Sequence, residues 1–129
     1  MAGYQINLEE KTLENKNYRE VLYTTSRSQL VVMSVAPSQE LGMETHADHD
    51  QFIRVEAGVG QAIIGDSTYD LADGVAIVIP AGDAHNIINT SETETLQLYT
   101  VYTPPEHAEG KIHVTKNDEM NDPDYADEH

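Results

Sequence analysis

The sequence predicts one all-β domain, either a sandwich or a closed barrel. Its 129 residues are enough for one domain with a core and too few for two. Short segments rich in β-branched and aromatic residues follow one another closely, and most gaps between them contain Gly, Pro, Asp, Asn or Ser. The central body shows no apolar 3.6-residue period of the kind that an amphipathic helix produces. Many short strands with turn residues between them are typical of sandwiches and barrels.

Eight strands are predicted in chain order. The first two are separated by a polar Ser-Arg-Ser turn, and Pro37 and Gly42 close the second. A later turn, Pro80-Ala81-Gly82-Asp83, precedes the strand that begins at His85. The predicted strands cover residues 19–25, 29–35, 51–56, 61–64, 68–71, 75–79, 85–89 and 95–102.

Two flanking segments differ from this body. Residues 1–17 form a polar arm, in which the alternation of Tyr4, Ile6 and Leu8 indicates an edge strand. Residues 18–105 form the barrel domain, and residues 106–129 form an acidic C-terminal extension with one helix at 116–120. The part after Asn117 is nearly free of aliphatic residues and is expected to be mobile.

The charge of the chain excludes several classes of partner. There are 23 acidic and 7 basic residues, so the formal net charge is -16. Nucleic acids and anionic membranes are bound through Lys and Arg, so neither is an expected partner. The chain has no cysteine, which excludes disulfides, thiolate metal sites and cysteine nucleophiles. Without a membrane-spanning apolar stretch or a signal-peptide pattern, a cytoplasmic location is expected.

A cluster of metal-ligand residue types lies between the second and third predicted strands. If the chain is extended there, Glu44 and His46 lie on one face, either both inward or both outward. Gln51 shares a face with Ile53 and Val55 on the next strand, so two neighbouring antiparallel strands could bring Glu44, His46 and Gln51 to one point. His85 would complete a set of two nitrogen and two oxygen donors, which suits Zn, Mn, Fe, Co or Ni better than Ca or Cu(I). The alternative is an acidic, solvated loop. The residues concerned are Glu44, His46, Asp48, His49, Asp50 and Gln51.

Residues 74–89 resemble the second motif of the cupin family, G-x5-P-x-G-x2-H-x3-N. Gly74, Pro80, Gly82, His85 and Asn89 fill every fixed position.

Residues 42–60 resemble the first cupin motif more loosely. Glu44 stands at the first histidine of that motif, His46 at the second, and Gln51 where the family usually has glutamate. The neutral Gln51 weakens charge neutralisation of a cation, and Glu44 restores one negative charge. The resemblance as a whole covers about residues 28–105.

The resemblance implies a double-stranded β-helix, which is a small jelly-roll barrel. It also implies one divalent metal near a barrel mouth, held by Glu44, His46, Gln51 and His85, with zinc expected and manganese, iron, nickel or cobalt as alternatives. His49 is a rival ligand, or a group that hydrogen-bonds a ligand. The resemblance further implies a homodimer, and the arm at residues 4–8 can add a strand to a neighbour.

The segments 50–56, 102–107 and 110–116 are similar to a bacterial cupin subgroup often labelled mannose-6-phosphate isomerase-like. This likeness implies a metal-dependent sugar or sugar-phosphate isomerase with a small-molecule substrate. The metal would act as a Lewis acid, and His49 or Glu44 would be the catalytic base. Two alternatives stay open, an iron or manganese dioxygenase and a non-catalytic module that binds a small ligand.

The scarcity of basic residues favours a neutral or weakly anionic substrate over a phosphorylated one. Arg54 is expected to face away from Gln51, and Arg27 lies in a distant turn. Lys111 and Lys116 are the cations expected to be able to reach the site. The remaining histidines of the extension, His107 and His113, are expected at the surface, with the barrel mouth as the alternative.

Overall fold

A computed structural model describes residues 2–125 of the chain as two antiparallel sheets packed face to face, which confirms the predicted all-β jelly-roll class. Within these residues the strands are β1 (Arg19–Thr24), β2 (Gln29–Val35), β3 (Asp50–Ala57), β4 (Gly60–Ile64), β5 (Ser67–Leu71), β6 (Ala76–Ile79), β7 (His85–Asn89), β8 (Leu96–Thr103) and β9 (Ile112–His113). The helices are α1 (Leu8–Glu14) and α2 (Lys116–Met120).

The larger sheet has the order β6-β3-β8-β2-β1-β9, and the smaller sheet has the order β5-β4-β7. The segment before β3 runs beside β7 and is held there by main-chain hydrogen bonds, for example from Leu41 N to Ile87 O (2.9 Å). This segment therefore extends the smaller sheet at one edge. It also carries Glu44 and His46 to the start of β7.

The core lies between the sheets and follows the two-residue alternation of the strands. On β3, Gln51, Ile53 and Val55 are buried, whereas Phe52 and Arg54 are only half-buried. Gln51 therefore faces the interior, as its position in the sequence predicts. Other fully buried core side chains include Val31, Met33, Val35, Ile79, Ile87, Leu96 and Leu98.

The arm does not contain the predicted edge strand. Residues Leu8–Glu14 form α1 instead, and the Asn7 side chain caps this helix by accepting a hydrogen bond from Glu10 N (3.1 Å). Gln97 holds the other end of α1 by donating to Leu13 O (2.8 Å). Ahead of the helix, Tyr4 stacks on Tyr23 of its own barrel with ring centroids 4.8 Å apart.

The described part of the C-terminal extension packs on the barrel. Strand β9 pairs with β1, and α2 begins at a capping box formed by Thr115 and Asp118, at the position where the sequence predicts a helix. Glu119 of α2 is 3% exposed. The expected mobility of the tail stays a prediction, and residues 126–129 lie outside the described residues.

Among residues 2–125, no helix has both the length and the apolar character needed to cross a membrane.

Candidate metal centre

Two of the predicted ligands are placed opposite each other by the backbone. Glu44 N donates to His85 O and His85 N donates to Glu44 O, each at 2.8 Å, which makes an isolated antiparallel bridge. Side chains of such a pair project from the same face of the sheet. Glu44 and His85 therefore face the same region, although one lies before β3 and the other starts β7.

His46 joins them because it lies two residues after Glu44 on the same face. Its main-chain oxygen accepts a hydrogen bond from Gly82 N (2.8 Å), and Gly82 has a φ of +89°, a conformation that favours glycine. The ring Nε2 of His46 is 3.1 Å from Glu44 Oε2, and its ring centroid is 5.1 Å from that of His85. One ligand atom from each of the three residues lies within 4.8 Å of the others.

The environment of His85 favours the form of histidine that binds metals. The ring is buried, and its Nδ1 lies 3.0 Å from Asp83 O. A carbonyl oxygen can only accept, so Nδ1 carries the proton and Nε2 keeps its lone pair. Burial lowers the pKa of His85, and the nearby His46 lowers it further. The hydrogen bond to Asp83 O acts in the opposite direction and does not cancel the effect of burial. The ring is thus held neutral and oriented.

Gln51, the fourth predicted ligand, presents a buried acceptor. Its Nε2 donates to Thr100 Oγ1 (3.0 Å), which fixes the amide, while its Oε1 has no hydrogen-bond partner among the described residues. An unpaired buried oxygen is costly unless a cation or a water meets it. The donors of these four residues therefore fit a divalent transition metal, and coordination by Gln51 stays a prediction.

The structure places His49 beside this group of residues and not within the close triad. Its Nδ1 is 2.7 Å from Pro104 O, and its Nε2 is 2.9 Å from Glu106 Oε2. Both ring nitrogens therefore already contact oxygen atoms. The predicted role of His49 as a base or a ligand is not decided by this placement.

Glu106 is a residue of the site that the sequence analysis did not identify. Its side chain is 4% exposed, and its Oε2 lies 3.4 Å from His46 Nδ1 as well as next to His49. A carboxylate on the second nitrogen of a metal-binding histidine fixes the ring and increases its basicity. Glu106 is one of eight acidic residues in the extension, and no spacing distinguishes it from the others.

The surface positions expected for His107 and His113 are wrong, because the extension folds over the barrel. His107 is 6% exposed and its ring lies edge-on to Tyr102, with centroids 5.2 Å apart. His113 is 3% exposed, and its Nε2 is 2.7 Å from Asp122 Oδ2. The ring centroid of Tyr102 also lies 6.2 Å from that of His46, so Tyr102 contacts both His107 and a predicted metal ligand.

Arg19 is a buried cation that the sequence analysis also missed. It is 3% exposed at the start of β1, and its Nη1 lies 2.6 Å from Glu119 Oε1. Lys111, expected to reach the site, lies 3.1 Å from Asp122 Oδ2. Lys116 instead donates to Glu40 O. Arg19 and Lys111 are thus each paired with a carboxylate of the extension.

Comparisons with known proteins agree with this architecture. Residues 31–102 match the family model described as a cupin domain. The chain is 45% identical over 116 residues to uncharacterized protein L612 of Acanthamoeba polyphaga mimivirus, covering 88% of this chain and 72% of that protein. It is 39% identical over 121 residues to uncharacterized protein YrkC of Bacillus subtilis, covering 89% of this chain and 64% of that protein.

The same architecture occurs in solved structures. That of BH2720 from Bacillus halodurans superposes with a TM-score of 0.91 at 35% identity, covering 94% of this chain and 96% of that chain. KdgF from Halomonas sp. superposes with a TM-score of 0.64 at 18% identity, covering 72% and 84% respectively, and shares the fold alone. The matched family model spans more than half of the chain, and the chain belongs to the cupin family.

Proposed function

We propose that this cupin binds one divalent transition-metal ion through Glu44, His46, His85 and Gln51 and acts on a small polar molecule. The observation that carries the proposal is the convergence of the first three ligand atoms within 4.8 Å of one another. Nitrogen and carboxylate donors make zinc the expected ion, with manganese, iron, nickel and cobalt as competitors. When bound, the ion supplies Lewis acidity toward a carbonyl or a pair of neighbouring oxygens of the substrate.

The protein's own groups prepare the ligands for this task. Glu106 holds Nδ1 of His46, and the carbonyl of Asp83 holds Nδ1 of His85, so each ring presents Nε2. The side chain of Glu44 is 22% exposed, whereas that of His46 is 7% exposed. A substrate therefore approaches from the side of Glu44.

The reaction that we favour is isomerisation of a sugar or sugar derivative. This reaction needs a base that moves a proton between neighbouring carbons. His49 is the base that we favour, and Glu106 Oε2, 2.9 Å from its Nε2, would stabilise the protonated ring. Glu44 is the alternative base. The pairing of Arg19 with Glu119 and of Lys111 with Asp122 favours a neutral or weakly anionic substrate, since neither cation is left uncompensated.

A non-catalytic module that binds a small ligand is the second candidate function. The observation that favours it is the engagement of both ring nitrogens of His49, which leaves no lone pair on this ring directed at a substrate. In such a module the metal would orient the ligand, and no proton would move.

Metal analysis of protein purified without chelator tests the proposed ion. We expect one divalent transition-metal ion per chain, most of it zinc. We expect the His46→Ala and His85→Ala variants each to lose this ion. Asp48→Asn is the matched control, because it removes an exposed carboxylate close to the ligands and is expected to keep the ion. Metal at trace level in the unmodified protein, or retained in both histidine variants, would contradict the proposal.

An NMR turnover assay separates the two candidate functions. Neutral aldoses and ketoses and their phosphates are incubated with the metal-loaded protein, with and without chelator. Chelator-sensitive interconversion of a neutral sugar that is lost in His49→Asn supports the isomerase. Stoichiometric metal with ligand binding and no turnover supports the binding module.

A further inference from the structure

A cavity lies on the outer face of the larger sheet, apart from the candidate metal centre. It has a volume of about 570 Å³, within the range of small-molecule sites. Its walls come from the end of α1, the outward-facing positions of β2 and β8, and the start of α2. None of the predicted metal ligands lines it, and neither His49 nor Glu106 does.

The charge of this cavity is opposite to that of the chain. No acidic residue of the described part of the chain, residues 2–125, lines the cavity, whereas Lys16 and Lys116 both do. These two lysines are far apart in the sequence, and the fold places both at the wall of one cavity.

The two lysines are also unusual in having no ion-pair partner. Lys11, Arg19, Arg54 and Lys111 each lie next to a carboxylate. Within residues 2–125, Lys16, Lys116 and Arg27 have no carboxylate within ion-pair distance. Two of these three cations therefore share one cavity, and the third lies in the exposed turn between β1 and β2.

The other wall groups suit a small polar molecule. Ser34 and Gln39 contribute a hydroxyl and a side-chain amide, while Leu13, Tyr18 and Val114 provide apolar surface. Lys116 Nζ is positioned by donating one hydrogen to Glu40 O at 2.5 Å, which leaves two others for a ligand. Cations beside neutral donors recognise carboxylates and phosphates.

We propose that this cavity is a binding site for a small oxyanion, either a carboxylate or a phosphate, held by Lys16 and Lys116. The site is separate from the candidate metal centre, and it does not depend on the proposed function. Gln97, at the wall, donates to Leu13 O (2.8 Å) and so fixes the end of α1 beside the cavity.

Amide chemical shifts of the full chain test the proposal at low ionic strength, where exposed charges are least screened. The probes are inorganic phosphate and succinate, with succinamide as the neutral counterpart of succinate. We expect a saturable shift at Lys16, Gln97 and Lys116 with at least one anion and none with succinamide. The anion that saturates first identifies the class, and His46→Ala is expected to leave the binding unchanged.

Charge variants complete the test. Lys16→Met and Lys116→Met are each expected to weaken binding roughly tenfold, as the loss of one charged hydrogen bond would. Arg27→Met is the matched control, because it removes the third unpaired cation and is expected to have no effect. Chemical-shift changes that do not saturate, or an equal loss of affinity in Arg27→Met, would show non-specific electrostatic attraction and overturn the proposal.

Chemical shifts that change with protein concentration and not with the added anion would show that a second copy of the chain occupies the cavity. This result would also overturn the proposal.

Discussion

At His46, each ring nitrogen lies next to a carboxylate, Glu44 on the Nε2 side and Glu106 on the Nδ1 side. If Nε2 of such a histidine binds a metal, Nδ1 carries the proton, and the carboxylate at Nδ1 fixes the orientation of the ring. Glu106 thus acts through His46 and is a positioning residue.

Glu106→Gln tests this role. The neutral amide removes the charge that raises the basicity of His46, so zinc affinity is expected to fall by about 10- to 100-fold. Competition with a chromophoric zinc chelator measures the change. Glu109→Gln makes the same substitution at an exposed position of the same segment and is expected to leave the affinity unchanged. Equal affinities in both variants would contradict the role of Glu106.

Asp122 provides a pH-dependent contribution to stability. The hydrogen bond from His113 holds the pKa of the Asp122 carboxyl well below its usual range, with help from Asp124 N and Lys111. A carboxyl with a depressed pKa in the folded state stabilises the protein fully above its unfolded pKa of about 4. This stabilisation declines as pH falls below that value and is gone only below the folded pKa.

Asp122→Asn is therefore expected to lower the free energy of unfolding at pH 7, and the difference from the unmodified protein is expected to be smaller at pH 3. Urea unfolding at the two pH values measures this. Asp124→Asn, at an exposed carboxylate that also contacts Lys111, is the control with a small expected effect. A difference that does not change with pH would show that His113 does not act through the charge of Asp122.

The residues of the site could be predicted from the sequence where they follow local rules. Alternation places Glu44 and His46 on one face, and the motif resemblance points to His85, and the structure brings these three together. Glu106 and Arg19 were missed because their positions depend on how the extension folds over the barrel. That packing brings together segments that are distant in the sequence, and no periodic pattern of residues predicts such contacts.

Among the elements, the strands were easier to predict than the helices. The strands carry the apolar alternation of a two-sided core, so their order and approximate bounds agree with the sequence pattern. Helix α1 has no apolar stripe and depends on the Asn7 cap and on Gln97 from β8. A short polar helix of this kind is stabilised mainly by contacts that the local sequence does not show.

The turn between β3 and β4 contains a glycine that is expected to tolerate no side chain. Gly58 has a φ of +91°, and a Cβ there would lie 2.5 Å from Thr95 O. Gly58→Ala is therefore expected to cost about 3 kcal/mol of the free energy of unfolding or more. Gly65→Ala is the control, since its φ is +57° and nothing lies within 4 Å of the added Cβ, and about 1 kcal/mol is expected. Chemical denaturation compares the two, and equal losses would contradict the predicted steric cost.

For the whole molecule, the net charge of -16 makes the protein self-repelling, and the proposed divalent cation between Glu44 and the histidines would offset part of that repulsion. An ion that binds only the folded state at 100 times its dissociation constant stabilises it by about 2.7 kcal/mol. For a domain of this size, chelation is expected to lower the Tm by roughly 10 °C. Differential scanning calorimetry measures this shift. His46→Ala is expected to melt at the same temperature with and without chelator, and a chelator effect that persists in this variant would place the ion elsewhere.

The reciprocal hydrogen bonds between Glu44 and His85 have a consequence for the kinetics of the protein. They join two stretches of chain that β3, β4, β5 and β6 separate in the sequence, so an open chain offers the ion Glu44 and His46 without His85. A bound ion therefore acts on the completed barrel and on no earlier state. We expect zinc to slow unfolding and to leave the folding rate unchanged, which stopped-flow measurements in urea would show. The metal centre would then set how long the barrel stays closed, independently of any reaction carried out within it.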